Sequence, residues 1–250
     1  MNDDLRAALA ARLLATADDE LMLAHRNAEW TGHAPILEED IALANIAQDE
    51  LGHASIWYGL VEELTGQDPD RLVFFRDAGE YRSAQMVEQP RGDWAFTMLR
   101  QYLFDAYEMA LLARLAGSAY QPVADAAARM RNEELYHYRH SSAWLRRLGL
   151  GTAESNRRMQ AALDVLWPLA GQLFSPQPGD ALLNVEGYWP DLNELRQAWS
   201  GVVIPALEEA GLGETASAAG PDDRRVHSAH LDTLLADMQM VARADEEAVW

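Results

Sequence analysis

Residues 42–58 read ALANIAQDELGHASIWY, and residues 126–142 read AAARMRNEELYHYRHSS. Each stretch carries a Glu-x-x-His motif, Glu50 with His53 and Glu134 with His137. On a helix, an i, i+3 spacing stacks two side chains on one face, one turn apart. A carboxylate and an imidazole so placed can bind the same metal ion. The 20 glutamates and 7 histidines of this chain yield about half such a match by chance, so the motifs gain meaning only from their surroundings.

Those surroundings are helical hairpins. Leu13, Leu14, Ala17, Leu21 and Ala24 form an apolar stripe at helical spacing. This predicts a first helix over about residues 3–30, ended by Thr31-Gly32 and Pro35. A second covers about residues 37–64 and stops at Gly66. A non-helical stretch follows over 67–92, with only a short turn or helix at Leu72–Phe75. Asp93 reads as the N-cap of a third helix to Leu115, closed by Gly117. Gln121-Pro122 opens a fourth that runs to Leu148 and ends at Gly149. Two hairpins joined by a long connection make an all-α, ferritin-like four-helix bundle with one long crossover. Beyond it, helices are expected over 152–174, 191–210 and 228–244, as a C-terminal extension of the same single domain. Asp191 with Glu194 reads as a capping box. The loop after Phe174 and the small, polar stretch 211–223 are expected to be irregular, the latter mobile.

Each Glu-x-x-His motif lies in the second helix of its hairpin. The first helix of each hairpin offers one glutamate among apolar neighbours, Glu20 and Glu108. The offsets of 30 residues from Glu20 to Glu50 and 26 from Glu108 to Glu134 bring each pair to a similar height. The set Glu20, Glu50, His53, Glu108, Glu134 and His137 is that of di-iron or di-manganese carboxylate bundles. Four carboxylates offset two divalent cations and can bridge them, and two imidazoles leave coordination positions open to dioxygen. Behind the ligands, Asp49 is expected to meet His137 and Glu133 to meet His53, with Asp105 as the competing acid. Blander readings stand beside this one. Glu20 follows Asp18 and Asp19, so the three also fit one solvated acidic face. His53 and His137 also fit hydrogen-bonded core histidines without metal. The other five histidines read as structural or surface. Tryptophans 30, 57, 94, 144, 167 and 199 read as core or interface.

Composition narrows the rest. With 40 acids, 20 bases and a formal net charge of -20, the chain is no nucleic-acid binder and no partner for an anionic membrane. All bases are arginine, so lysine Schiff-base chemistry and a P-loop lysine are excluded. Cysteine is absent, so any metal must sit on nitrogen and oxygen. No basic n-region precedes an apolar run near Met1, which predicts a cytoplasmic protein. The pairs Arg146-Arg147, Arg157-Arg158 and Arg224-Arg225 fit a solvated face better than a phosphate site.

The sequence also resembles the C subunits of the bacterial ring 1,2-phenylacetyl-CoA epoxidase. The resemblance is carried by residues 29–35 (EWTGHAP), 40–46 (DIALANI), 87–90 (VEQP), 100–102 (RQY) with Asp105-Ala106, 144–149 (WLRRLG), and His230-Leu231 with Met238-Gln239. It runs from about residue 10 to the end. It implies a ferritin-like fold and a homologous A subunit that holds the working di-iron site. It also implies a small B subunit and a reductase that delivers electrons from NADPH, with phenylacetyl-CoA as the substrate of the complex. In that family the C subunit is regarded as a scaffold that has lost metal ligands. Here all six ligand types are present. Either this branch keeps a metal site, used or vestigial, holding two iron ions, two manganese ions or none, or the chain is a relative with its own di-iron oxygenase or oxidase activity. A ferritin-like iron handler is the third reading, disfavoured by about 100 residues beyond the bundle.

Overall fold

A computed structural model describes residues 1–213 and 220–245. Ten α-helices and two short 3-10 turns follow one another, with no strand among the described residues. The bundle helices are α1 (Asp3–Ala28), α2 (Leu37–Thr65), α5 (Trp94–Leu115) and α6 (Gln121–Gly149). The crossover from α2 to α5 contains α3 (Pro69–Phe74), a 3-10 turn at Ala78–Glu80 and α4 (Gln85–Glu88). The extension is α7 (Ala153–Ala170), a 3-10 turn at Gly171–Phe174, α8 (Asp180–Val185), α9 (Leu192–Glu209) and α10 (Leu231–Ala244).

Local chemistry explains the boundaries. Asn2 and Asp93 cap α1 and α5 by accepting the backbone N–H of Leu5 and Phe96. Gly66 ends α2 in the left-handed conformation, φ 73°, as the sequence suggests. Gly117 and Gly149 do not play that part. Neither has positive φ among the described residues. Gly149 is instead the last helical residue of α6, and a Cβ there would lie 2.4 Å from the carbonyl oxygen of Ala210. Its value is close approach to the end of α9. Asp191 caps α9 by accepting from Asn193 and Glu194, only half of the expected capping box.

Three further expectations need correction. The stretch 67–92 carries three short helical pieces rather than one. The loop after Phe174 contains α8, anchored where Arg12 of α1 pairs with Asp180. The last helix begins at Leu231, not Ser228. The expected mobile stretch 211–223 lies partly outside the described residues.

The α1–α2 and α5–α6 pairs form the most extensive helix contacts, and α2 also packs on α6. The core is one continuous apolar cluster running from Leu5 in α1 to Leu235 in α10, so the extension shares the bundle's interior. A second, smaller cluster gathers Trp30, Leu43, Ile46 and Met98 with Trp94 and Trp144. There Trp94 meets Trp30 and Trp144 edge to face, at 5.0 and 5.4 Å. No helix among the described residues is long and apolar enough to cross a membrane.

Candidate metal centre

The three consecutive acids of α1 settle whether they form one solvated face. Successive helical residues point about 100° apart, yet Asp18, Asp19 and Glu20 are all buried. Asp18 accepts from Arg76 Nη1 at 3.0 Å, from the Tyr58 hydroxyl and from the Arg82 N–H. Asp19 accepts from Arg224 Nη1 at 2.7 Å and from the Ala84 N–H. Glu20 has no arginine and neither of its oxygens meets a donor.

Glu20 points instead into a cluster of ligand-type atoms. Atoms of Glu20, Glu50, His53 and Glu108 lie within 4.8 Å of one another. So do atoms of Glu50, Asp105, Glu134 and His137. Glu50 belongs to both groups, and all seven residues are buried. The six residues expected from sequence are thus brought together at the bundle centre.

The histidines are aimed by hydrogen bonds that cross between α2 and α6. His53 Nε2 lies 3.0 Å from Glu133, and His137 Nε2 lies 3.3 Å from Asp49. Both carboxylates are partly exposed and lie at the rim of the cluster rather than inside it. That arrangement leaves each Nδ1 as the nitrogen facing the cluster. His53 Nδ1 lies 3.9 Å from Glu20 and 3.8 Å from Glu108; His137 Nδ1 lies 3.1 Å from Glu134 and 3.7 Å from Glu50. The expected crossed pairing therefore appears in the geometry. Asp105 differs from its expected place. It sits among the ligand-type atoms of the second group rather than behind a histidine, because Gln101 Nε2 and Ser141 Oγ each donate to it at 2.6 Å.

Gln101 is a site residue that the motifs do not announce. Its amide also donates to Glu50 at 2.9 Å and its carbonyl accepts from Asn27 at 2.8 Å. The one sequence signal is spacing: Gln101 lies four residues before Asp105, and Ser141 four after His137, on the same helix faces.

The electrostatics fit a cation. Burial, together with the charges of Glu108 and Glu50, pushes the Glu20 carboxyl well above the usual range. Burial does the same to Glu134 and Asp105, reinforced by their acidic neighbours. Burial pulls His53 down, but Glu108, Glu50 and Glu133 outweigh it and the net shift is upward. Seven buried atoms of the cluster have no hydrogen-bond partner: both oxygens of Glu20 and of Glu108, one each of Glu50 and Glu134, and His53 Nδ1. Buried carboxylates of this kind are costly unless paired or bound to metal. The donor set of carboxylate oxygens and imidazole nitrogens suits iron or manganese.

These shifts predict a pH dependence for the metal-free protein. Groups with raised folded-state values stabilise the fold fully below their unfolded values and less as pH rises through the folded ones. Glu20, Glu134, Asp105 and His53 all act in that direction. Chelator-treated protein should therefore melt at a lower temperature at pH 8.5 than at pH 6.5. A flat or rising melting temperature over that window would contradict the charge crowding.

The remaining candidates are structural. His140 pairs with Glu39 at 2.7 Å and His227 with Glu88 at 2.7 Å. Arg225 and the pairs at 146–147 and 157–158 are exposed or partly so, as expected. Arg224 is the exception, fully buried on Asp19. Surface clefts between α7 and α9, and beside Arg157-Arg158, include none of the clustered acids or histidines.

Two antiparallel helix pairs joined by a long crossover define an all-α, ferritin-like bundle, with Glu and Glu-x-x-His from each pair in a buried cluster that could hold a metal ion. The chain belongs to the phenylacetic acid catabolic protein family, whose model matches residues 1–250. It is 40% identical over 246 residues to the C subunit of the 1,2-phenylacetyl-CoA epoxidase of Escherichia coli K12, a match that covers 97% of this chain and 99% of that one.

Proposed function

We propose that this chain is the C-type subunit of a multicomponent oxygenase that epoxidises the aromatic ring of phenylacetyl-CoA, and that it binds two divalent metal ions of its own. The end-to-end match to a protein named as the C subunit of such an epoxidase carries the first part. In this reading its partners are a homologous catalytic A subunit, a small B subunit and a reductase, in the cytoplasm. The match of whole chain to whole chain favours this over a stand-alone oxygenase.

The second part rests on the partnerless buried atoms of the cluster. Glu20, Glu50, His53 and Glu108 would hold one ion; Glu50, Asp105, Glu134 and His137 would hold the other. When bound, a pair of iron ions supplies redox chemistry with dioxygen and Lewis acidity; manganese is the alternative that the same donors accept. The chain's own residues do the positioning. Glu133 and Asp49 accept the Nε2 protons and so keep each Nδ1 basic and inward. Gln101 restrains Glu50 and Asp105 together, and Ser141 restrains Asp105 from the other side.

Elemental analysis of protein expressed alone in iron-supplemented medium tests the metal reading. About two irons per chain are expected from the two ligand groups. A folded protein with almost no metal would remove that part and leave a structural role. The assembly reading is tested separately, by reconstituting phenylacetyl-CoA turnover from the partner subunits with and without this chain. Undiminished turnover in its absence would end it.

A further inference from the structure

The crossover segment 88–91 is gripped by three arginines, none of them bonded to the clustered acids or histidines. Arg26 of α1 donates through Nε and Nη2 to the Glu88 carbonyl, at 3.1 and 2.7 Å. Arg91 donates to the Glu29 carbonyl. Arg100 of α5 donates through Nη1 to the Gln89 carbonyl at 2.7 Å and to the Pro90 carbonyl at 3.4 Å. These bonds satisfy carbonyls that the end of the four-residue α4 leaves unpaired.

Arg100 is 0% exposed, and its Nε and Nη2 meet no acceptor. Those two nitrogens share one edge of the guanidinium and present parallel N–H donors, the fork that takes a carboxylate bidentately. The charge around it is also unbalanced. The acid within electrostatic reach is Glu29, and its Oε1 already accepts from Arg26 Nη1 at 2.6 Å. The Glu88 carboxylate is committed to Ser83, His227 and the Ser228 N–H. Two buried guanidiniums thus share one carboxylate. Burial and the charge of Arg26 lower Arg100 only to about 9, so it keeps its proton at neutral pH. A buried cation is ordinarily paired.

We propose that the Nε–Nη2 edge of Arg100 binds a small monovalent oxyanion of carboxylate type, of the size of formate or bicarbonate, as a structural counter-ion between α5 and the crossover. Arg100 itself bonds to none of the clustered acids or histidines. The fork asks for a planar anion with two oxygens on one side. It also asks for an anion small enough to sit in a closed interior.

The full-length protein tests this at pH 7.5 and constant ionic strength, with sodium formate replacing sodium gluconate, whose anion is too large to enter. The melting temperature should rise with formate and saturate, as ligand linkage requires. The carbon-13 signal of labelled formate should broaden in the presence of protein. Both responses should vanish in Arg100→Gln and persist in Arg225→Gln, which alters an exposed arginine. Arg100→Lys keeps the charge without the fork and should lose the saturable response. If neither variant folds, the wild-type comparison of formate with gluconate decides alone. Equal melting in the two salts with an unbroadened formate signal would overturn the proposal, as would a response that survives Arg100→Gln.

Discussion

Glu50→Ala should empty both halves of the metal centre, whereas changes at residues of a single group should empty one. Glu50 is the residue common to the two ligand groups, and one of its oxygens lies 3.7 Å from His137 Nδ1. Loss of a shared carboxylate removes a donor from each ion and the negative charge that lets them sit together. Metal per chain should therefore fall from about two to nearly none under conditions that fill the wild type. Ser141→Ala, which only frees Asp105, should cost no more than the roughly 10–100-fold in affinity typical of residues behind the ligands. A second readout separates metal loss from misfolding. Without metal, Glu50 adds to the crowding that raises Glu20, Glu134 and Asp105. Metal-free Glu50→Ala should then melt no lower than metal-free wild type despite a new cavity. Added iron(II) or manganese(II) should raise the wild-type melting temperature and leave the variant unmoved. A variant that still binds two metals per chain would show that Glu50 does not bridge the groups.

The parts of this centre that are legible in sequence are those set by short-range spacing. Glu-x-x-His is a statement about one helical turn, so Glu50 with His53 and Glu134 with His137 fall on inward faces directly. The crossed partners Asp49 and Glu133 are legible for a related reason. Each directly precedes its glutamate and so can point across the bundle, where a ligating histidine ordinarily donates its other N–H to an acid. The place of Asp105 is not legible, because it depends on Gln101 and Ser141, whose side chains could equally have turned elsewhere. Helix α8 leaves no trace in the pattern, because its six residues, Asp180–Val185, are too few for periodicity to register. The roles of Asp18 and Asp19 are out of reach altogether. Their partners Arg76 and Arg224 lie 58 and 205 residues away, and no local pattern encodes such a pairing.

That longest pairing sets the second large effect. Arg224 is 2% exposed and donates to both oxygens of Asp19, to the Arg82 carbonyl and to the Leu173 carbonyl. It ties the segment before α10 to α1, at the residue next to Glu20. Burial raises the Asp19 carboxyl, opposed by Arg224 and the Ala84 N–H. Removing the arginine strips away the largest opposing influence and leaves a buried acid with one backbone donor. Breaking such a buried pair from one side costs about 3–5 kcal/mol. For a chain of this size that corresponds to a melting temperature about 6–20 °C lower in Arg224→Met. The neighbouring Arg225 pairs with Asp223 at the surface, so Arg225→Ala should melt like the wild type. Asp19→Leu combined with Arg224→Met should recover much of the loss, because two apolar side chains leave no buried charge behind. Because the apolar core runs continuously from α1 to α10, the loss should appear as one shifted transition rather than early detachment of the extension. A first transition confined to the C-terminal helices, followed by unchanged melting of the bundle, would show instead that Arg224 holds only its own segment.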